Sequence, residues 1–329
     1  MKAAIIGIAG SVLSPDEAAL FRQQVPAGAI LFARNIETPS QLAALLASLR
    51  AVLPPQARLL VDQEGGRVAR LRPPHWPARP AAARLGALHE ADPTAGLRAA
   101  WLTGALIGLD CAGFDVVCAP VLDLAVPGAT PAIGDRAYAA DPARVAALGG
   151  AVADGLLAAG IEPVAKHAPG HGRARADSHA ELPRIPAGTD LEPDLAPFQA
   201  CAGLPWMMTA HLLYQGLDPN RPATLSPTII DHIIRGRIGF DGVLVSDDLA
   251  MHALVGPPGA RAATALAAGC DLALHCSGRL DDTRDVLAAI PPASVRTLAR
   301  LAAARARADA SRMALDKPAL EAELQGLLR

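Results

Sequence analysis

Eight times along this chain a short apolar run gives way to a capped, alanine-rich helical segment, and that recurrence constrains the fold more than any other feature. The apolar runs cover residues 4–8, 29–33, 59–62, 115–119, 162–166, 206–210, 243–246 and 272–275. Apart from polar residues at or next to their ends they are continuously apolar rather than alternating, which is the pattern of strands covered on both faces in a parallel sheet. Helix starts between them set Ser, Thr or Asp directly before Pro, at Ser14-Pro15, Thr38-Pro39, Asp141-Pro142 and Ser226-Pro227. That order is an N-cap followed by the first helical position, where the missing proline N–H costs nothing. Gly113, Gly160 and Gly239 follow helical stretches and precede strands, as C-terminal glycines do. Eight strand–helix units are the number that closes a (β/α)8 TIM barrel. An open doubly wound sheet is the competing arrangement, but no Gly-x-Gly-x-x-Gly turn follows the first run. No Ser-, Gly- or Pro-rich linker divides the chain. The sequence therefore predicts one catalytic barrel domain over residues 1–329, with an extra C-terminal helical extension over about residues 293–329.

Composition narrows the function classes. About half of the 329 residues are apolar (51%) and the formal charge is −2, with neither sign in blocks, so a nucleic-acid surface or a basic membrane helix is not expected. The arginines at 296, 300, 305, 307 and 312 are spaced along a helix as a solvated face would be. The apolar N-terminal stretch is far shorter than the ~20 residues of a spanning helix and runs into a helix start, so it reads as the first strand. Cys111, Cys118, Cys201, Cys270 and Cys276 are odd in number, sit mostly in apolar runs and lack zinc-site spacing. Buried thiols in a reducing cytoplasm follow.

In a (β/α)8 enzyme the chemistry gathers at the C-terminal strand ends. Here those ends carry Asp62, Asp123, Lys166-His167, His211 and Asp247, while the strand bodies are nearly free of such groups. The Pro169-Gly170-His171-Gly172 stretch leaves strand five as a loop and leads to Asp177-Ser178-His179. Three histidines and an aspartate invite a metal reading, but they lack the i, i+4 spacing of a helix-borne site and Lys166 would repel a cation, so none is expected. Asp177 and His179, two apart, can share one side of an extended loop, where the carboxylate would raise the basicity of the ring and make it a proton carrier near neutral pH. His171 reads as a loop pin and Ser178 as filler. At the end of strand seven Asp247 faces the barrel mouth and Asp248 turns away as a brace, because successive strand side chains point oppositely. Asp62 can accept from sugar hydroxyls and Arg70 or Arg136 can donate to them, while Glu64 and Arg67 are placed to pair with each other.

These segments resemble glycoside hydrolase family 3. The motifs are Asp62-Gln-Glu-Gly-Gly-Arg67, Ala119-Pro-Val-Leu-Asp123, the loop over 166–179, Thr209-Ala-His211 and the stretch from Gly239 to Asp248, covering most of the chain. More narrowly they are similar to the single-domain bacterial β-N-acetylglucosaminidases of cell-wall recycling. The resemblance implies Asp247 as nucleophile and His179 as general acid/base assisted by Asp177. It also implies that Asp62, Arg70, Arg136, Lys166 and His167 bind the non-reducing sugar. The implied substrate is a small glycan of the N-acetylglucosaminyl-anhydromuropeptide class, cleaved by a cytoplasmic monomer without metal or cofactor. Two other readings compete: a β-glucosidase or β-xylosidase of the same family, and a catalytically silent sugar-binding barrel. A metal-dependent hydrolase is a third. Ala168 stands where the family usually carries Phe, which lightens the packing of the loop, and His275-Cys276-Ser277 replaces the usual ending of strand eight. Few aromatics (3%) leave little stacking area for the aglycone.

Overall fold

Each of the eight apolar runs folds as a strand of one parallel sheet. The computed structural model describes residues 1–178 and 181–329. The strands of the barrel sheet are β1 (Lys2–Gly7), β2 (Pro26–Leu31), β3 (Arg58–Val61), β4 (Val116–Val117), β5 (Glu162–Ala168), β6 (Trp206–Thr209), β7 (Val243–Val245) and β8 (Ala273–His275). They pair in the order β8-β1-β2-β3-β4-β5-β6-β7. The seam between β7 and β8 is bridged where Val245 opposes Leu272, and Ser246 N–H donates to the Leu272 carbonyl at 3.0 Å. The sheet thus curls into a nearly closed barrel, the (β/α)8 class that the recurrence predicts.

The helices form where their caps lie. Ser14 and Glu17 make a reciprocal capping box at the start of α1 (Pro15–Gln23). Thr38 caps α2 (Pro39–Val52), and Asp92 caps α4 (Pro93–Asp110), which follows α3 (Ala82–Ala91). Asp141 caps α5 (Pro142–Ala158), and α6 (Glu192–Ala200) follows β5. After β6 the segment Ile229–Arg237 is wound as a π-helix, with Ile238 N–H bonded to the Ile233 carbonyl at 2.8 Å. Ser226 still serves as its cap, accepting from Ile229 N–H at 3.2 Å. Next come α7 (Pro258–Ala268) and α8 (Leu280–Ala289), then α9 (Val295–Ser311) and α10 (Lys317–Leu327). None of the described helices is long and apolar enough to cross a membrane.

Two buried layers hold the barrel. Inside it, Ile5, Ile30, Leu60, Val116, Val164, Trp206, Val243 and Leu274 fill the lumen. Outside, alternate strand residues such as Leu59, Val61 and Met207 pack under the helices. The α4 and α5 helices meet through glycine: a Cβ on Gly104 would lie 2.0 Å from the Val152 carbonyl oxygen, and one on Gly155 2.1 Å from that of Trp101. At the N-terminal end, α9 closes the barrel over Leu301 and Ala304. Beneath it the first residues of β3, β5 and β6 meet: Arg58 Nε lies 3.0 Å from Glu162 Oε1, and Trp206 Nε1 donates to Glu162 Oε2 at 2.7 Å. Burial pushes the Glu162 carboxyl up to about 7 against the opposing pull of Arg58. With that end covered, the C-terminal end of the barrel is the one that opens onto a cavity among the described residues.

Candidate active site

Where β3, β4, β5, β6 and β7 end, a cavity of about 230 Å³ opens at the barrel mouth. Asp62, Arg70, Arg136, Lys166, His167, Asp177 and Asp247 all line it. Its apolar floor comes from side chains of the lumen, among them Ile30, Cys118, Met208 and Leu274. Of the expected site residues, His179 lies outside the described residues.

The polar wall is one connected charge network. Lys166 Nζ sits 2.6 Å from Asp62 Oδ1 and 2.6 Å from Glu64 Oε1. The other Asp62 oxygen takes Arg70 Nη2 at 2.6 Å. Arg136 grips Glu64 with two parallel bonds of 2.8 Å, from Nε and Nη2. Burial opposes ionisation of Asp62 and Glu64, but the neighbouring cations outweigh it and hold both carboxyls below the usual range. Lys166 is correspondingly harder to deprotonate, because Asp62 and Glu64 overcome its own desolvation. Three cations against two carboxylates leave one surplus positive charge, spread over donors that face the cavity. Arg70 Nε is buried without a hydrogen-bond partner among the described residues, a donor available to a ligand hydroxyl.

The pairing corrects one sequence expectation. Glu64 and Arg67 do not pair with each other. Glu64 is drawn inward to Arg136 and Lys166, where its charge is needed, and Arg67 turns outward to Asp135 at 2.7 Å. Arg67 Nη2 also donates to the carbonyls of Pro131, Ala132 and Ile133 at 2.7, 2.8 and 2.9 Å, stapling that segment to the cavity rim.

Asp123 organises the next wall. Fully buried, it holds His167 Nδ1 at 2.7 Å with one oxygen and accepts from the His171 backbone N–H at 2.6 Å with the other. His167 presents its other nitrogen to the cavity side, 3.5 Å from Arg136 Nη2. Asp123 stays below the usual carboxylate range because the two histidines outweigh its desolvation. His171 Nε2 meets Ser178 Oγ at 3.1 Å, so Ser178 is more than filler: it ties the far end of the loop to its root. Burial pushes His171 down to about 4. The same root is anchored by Tyr214 Oη on the Gly170 carbonyl at 2.6 Å and by Gly172, whose absent Cβ would lie 2.3 Å from the Leu124 carbonyl oxygen. Ala168 is fully buried at the end of β5, its carbonyl accepting from Ala210 N–H at 2.8 Å.

On the opposite wall Asp247 follows β7. Its backbone N–H donates to Thr209 Oγ1 at 3.3 Å, and its carboxylate accepts from Asp248 N–H at 2.8 Å. Burial disfavours its charge, yet His211, His167, that N–H and Lys166 together hold it below the ordinary carboxylate range. An ionised carboxylate therefore faces the cavity at neutral pH. Asp248 braces the turn, accepting from Ala250 N–H and Cys276 N–H at 2.9 Å each. Sequence reasoning gives Glu64 only a pairing with Arg67 and assigns no specific role to Asp123 or His211, although both of these stand at strand ends. All five cysteines are buried and unbonded to one another. Among the described residues no group of three or more His, Cys, Asp or Glu side chains is arranged to hold a metal ion.

Known proteins resemble this chain over nearly its whole length. Residues 10–310 match the glycosyl hydrolase family 3 N-terminal domain. A β-hexosaminidase of Alkalilimnicola ehrlichii is 43% identical over 284 residues, covering 83% of this chain and 80% of that protein. A β-hexosaminidase of Bordetella avium is 40% identical over 316 residues, covering 93% and 89%. The crystal structure of NagZ from Neisseria gonorrhoeae in complex with N-trifluoroacetyl-D-glucosamine superposes with a TM-score of 0.88 at 32% identity, over all of this chain and 98% of that one.

Proposed function

This chain belongs to glycosyl hydrolase family 3, and on that premise we propose that it is a retaining β-N-acetylglucosaminidase working through a glycosyl-aspartate intermediate. It is a glycoside hydrolase of the β-N-acetylhexosaminidase type. The observation that carries the finer reading is the Asp247 carboxylate, held ionised across a sugar-sized cavity from a network of hydroxyl-binding groups.

In this reading the non-reducing N-acetylglucosamine lies against Asp62, Arg70, Arg136, Lys166 and His167. Asp247 attacks the anomeric carbon while the bond to the aglycone oxygen breaks, and His179 gives that oxygen its proton. Asp177, which lines the cavity, orients and charges the His179 ring. Water, deprotonated by the same histidine, then displaces Asp247 and restores both groups. Typical retaining sites use two carboxyls about 5 Å apart; here a histidine takes the acid's place. The substrate class is an N-acetylglucosaminyl-anhydromuropeptide, handled by a monomer in the cytoplasm, a compartment with which five unpaired thiols accord.

The test compares nitrophenol release from aryl β-N-acetylglucosaminide and aryl β-glucoside with excess chelator present. Strong preference for the N-acetyl substrate, with Asp247 labelled by a fluorinated sugar, is expected. Preference for the glucoside, or a label on another residue, overturns the assignment.

A further inference from the structure

The mechanism above gives no part to the buried histidine that lies closest to the Asp247 backbone along the chain of hydrogen bonds behind it. His211, fully buried just beyond β6, sits in a chain of hydrogen bonds that ends on the Asp247 backbone. Its Nε2 lies 2.9 Å from the Asp248 carbonyl, which can only accept, so that nitrogen carries a proton. Its Nδ1 lies 2.8 Å from Thr224 Oγ1. Thr224 Oγ1 has two further partners, Thr209 Oγ1 at 2.8 Å and the Ala210 carbonyl at 3.0 Å.

A hydroxyl has one proton and two lone pairs. The Ala210 carbonyl needs a donor, so the Thr224 proton goes there. Thr224 then accepts from both of its other neighbours. Thr209, whose own lone pair takes Asp247 N–H at 3.3 Å, supplies one proton, and His211 Nδ1 supplies the other. Every group in the chain is satisfied by this arrangement alone, whereas giving the Thr224 proton to Nδ1 strips it from the buried Ala210 carbonyl.

We propose that His211 is a doubly protonated positioning residue: a fixed imidazolium behind Asp247 that balances the charge of its carboxylate through the reaction cycle. A buried cation requires a partner charge, and Asp247 is placed to provide it. Lys166 and His167 face Asp247 from β5, and Asp248 lies beside His275, with its carboxylate turned to the backbone donors of Ala250 and Cys276. The consequence for turnover rests on the nucleophile reading given above. A cation behind Asp247 makes it a better leaving group from the glycosyl-enzyme, so its effect falls on the second half of the cycle, when water displaces the carboxylate.

Neutron diffraction from deuterium-exchanged crystals at neutral pD reads the ring directly and needs no variant. Deuterium on both His211 nitrogens, with the Thr224 hydroxyl aimed at Ala210, is the expected result; a bare Nδ1 overturns the inference. In solution, His211→Gln keeps a donor toward Asp248 but removes the charge. It should slow release of the glycosyl-enzyme by about tenfold per pK unit of leaving-group basicity, so that kcat and KM fall together and a burst of nitrophenol appears. A fall in kcat with KM unchanged and no burst refutes the electrostatic role. The ring's charge state does not depend on Asp247 being the nucleophile. Two deuterons with a sugar label elsewhere would sink the nucleophile reading alone, and a neutral ring with Asp247 labelled would sink only this inference.

Discussion

Replacing Glu64 by glutamine tests whether the charge network, rather than shape alone, builds the sugar-binding wall. Glu64 is buried and makes three short contacts, one to Lys166 at 2.6 Å and two to Arg136 at 2.8 Å. Glutamine keeps the shape but has one acceptor oxygen, so its amide must set N–H against an arginine N–H. The surplus charge of the network also rises from one to two. Removing one partner of a buried ion pair costs about 3–5 kcal/mol. Because glutamine preserves a hydrogen bond, the lower end, about 3 kcal/mol of folding stability, is expected. Arg136 loses its two-point grip and is held mainly by the Ala132 carbonyl at 3.0 Å, and kcat/KM should fall by roughly 30-fold, equivalent to about 2 kcal/mol. Urea unfolding and steady-state hydrolysis of an aryl β-N-acetylglucosaminide measure the two effects separately. The sign with pH is fixed as well. Glu64 has a depressed folded-state pKa, outweighing its burial through Lys166 and Arg136, so its contribution is present above the unfolded carboxylate range and is lost as pH falls through the folded value. Glu64→Gln should therefore lack that part of the acid-side loss seen in the parent. Stability unchanged at pH 7 and kcat/KM within threefold would show that the Ala132 carbonyl alone aims Arg136, and the reasoning would fail.

Other consequences are as concrete. His171 titrates near 4 when folded, burial being the main cause, against 6.5 when free; stability is full above 6.5 and declines as pH falls toward 4, by about 3 kcal/mol. His171→Gln should flatten that slope in urea titrations at pH 7.5 and 4.5, and an unchanged slope would count against it. Gly155→Ala pushes a methyl into the Trp101 carbonyl at the contact of α4 and α5, so it should cost about 1–3 kcal/mol in thermal or urea unfolding while leaving KM unaltered. Arg67→Ala frees the segment it staples to the rim and should raise KM by roughly 3- to 10-fold, more for extended aglycones than for small aryl ones. His179→Ala should lose on the order of 10²–10⁴-fold on poor leaving groups and much less on activated aryl ones; equal losses would make His179 a binding residue.

The local features of the fold were written locally. Ser14, Thr38 and Asp141 cap the helices they precede, and each apolar run becomes a strand, because caps and strand burial are decided within a few residues. The π-winding of Ile229–Arg237 was not legible, since its Ser-Pro start is the same as that of an α-helix and the extra residue per turn is set by packing. The pairing of Glu64 likewise escaped, because the nearby Arg67 is the obvious partner along the chain. Its actual partner, Arg136, is 72 residues away.

What the sequence by itself determined was the repeat, the strand and helix positions, and the gathering of Asp62, Asp123, Lys166, His167, His211 and Asp247 at strand ends. Spacing and residue type suffice for that, because a parallel strand ends where its helix-bound loop begins. Only the tertiary structure decided which of these groups touch. Lys166 reaches Asp62 across 104 residues, and Asp123 reaches His167 across 44. Such pairs form only when the sheet closes on itself and brings distant strand ends around one mouth. Charges forced together there, out of water, choose partners by proximity in space, and a linear sequence carries no record of that distance.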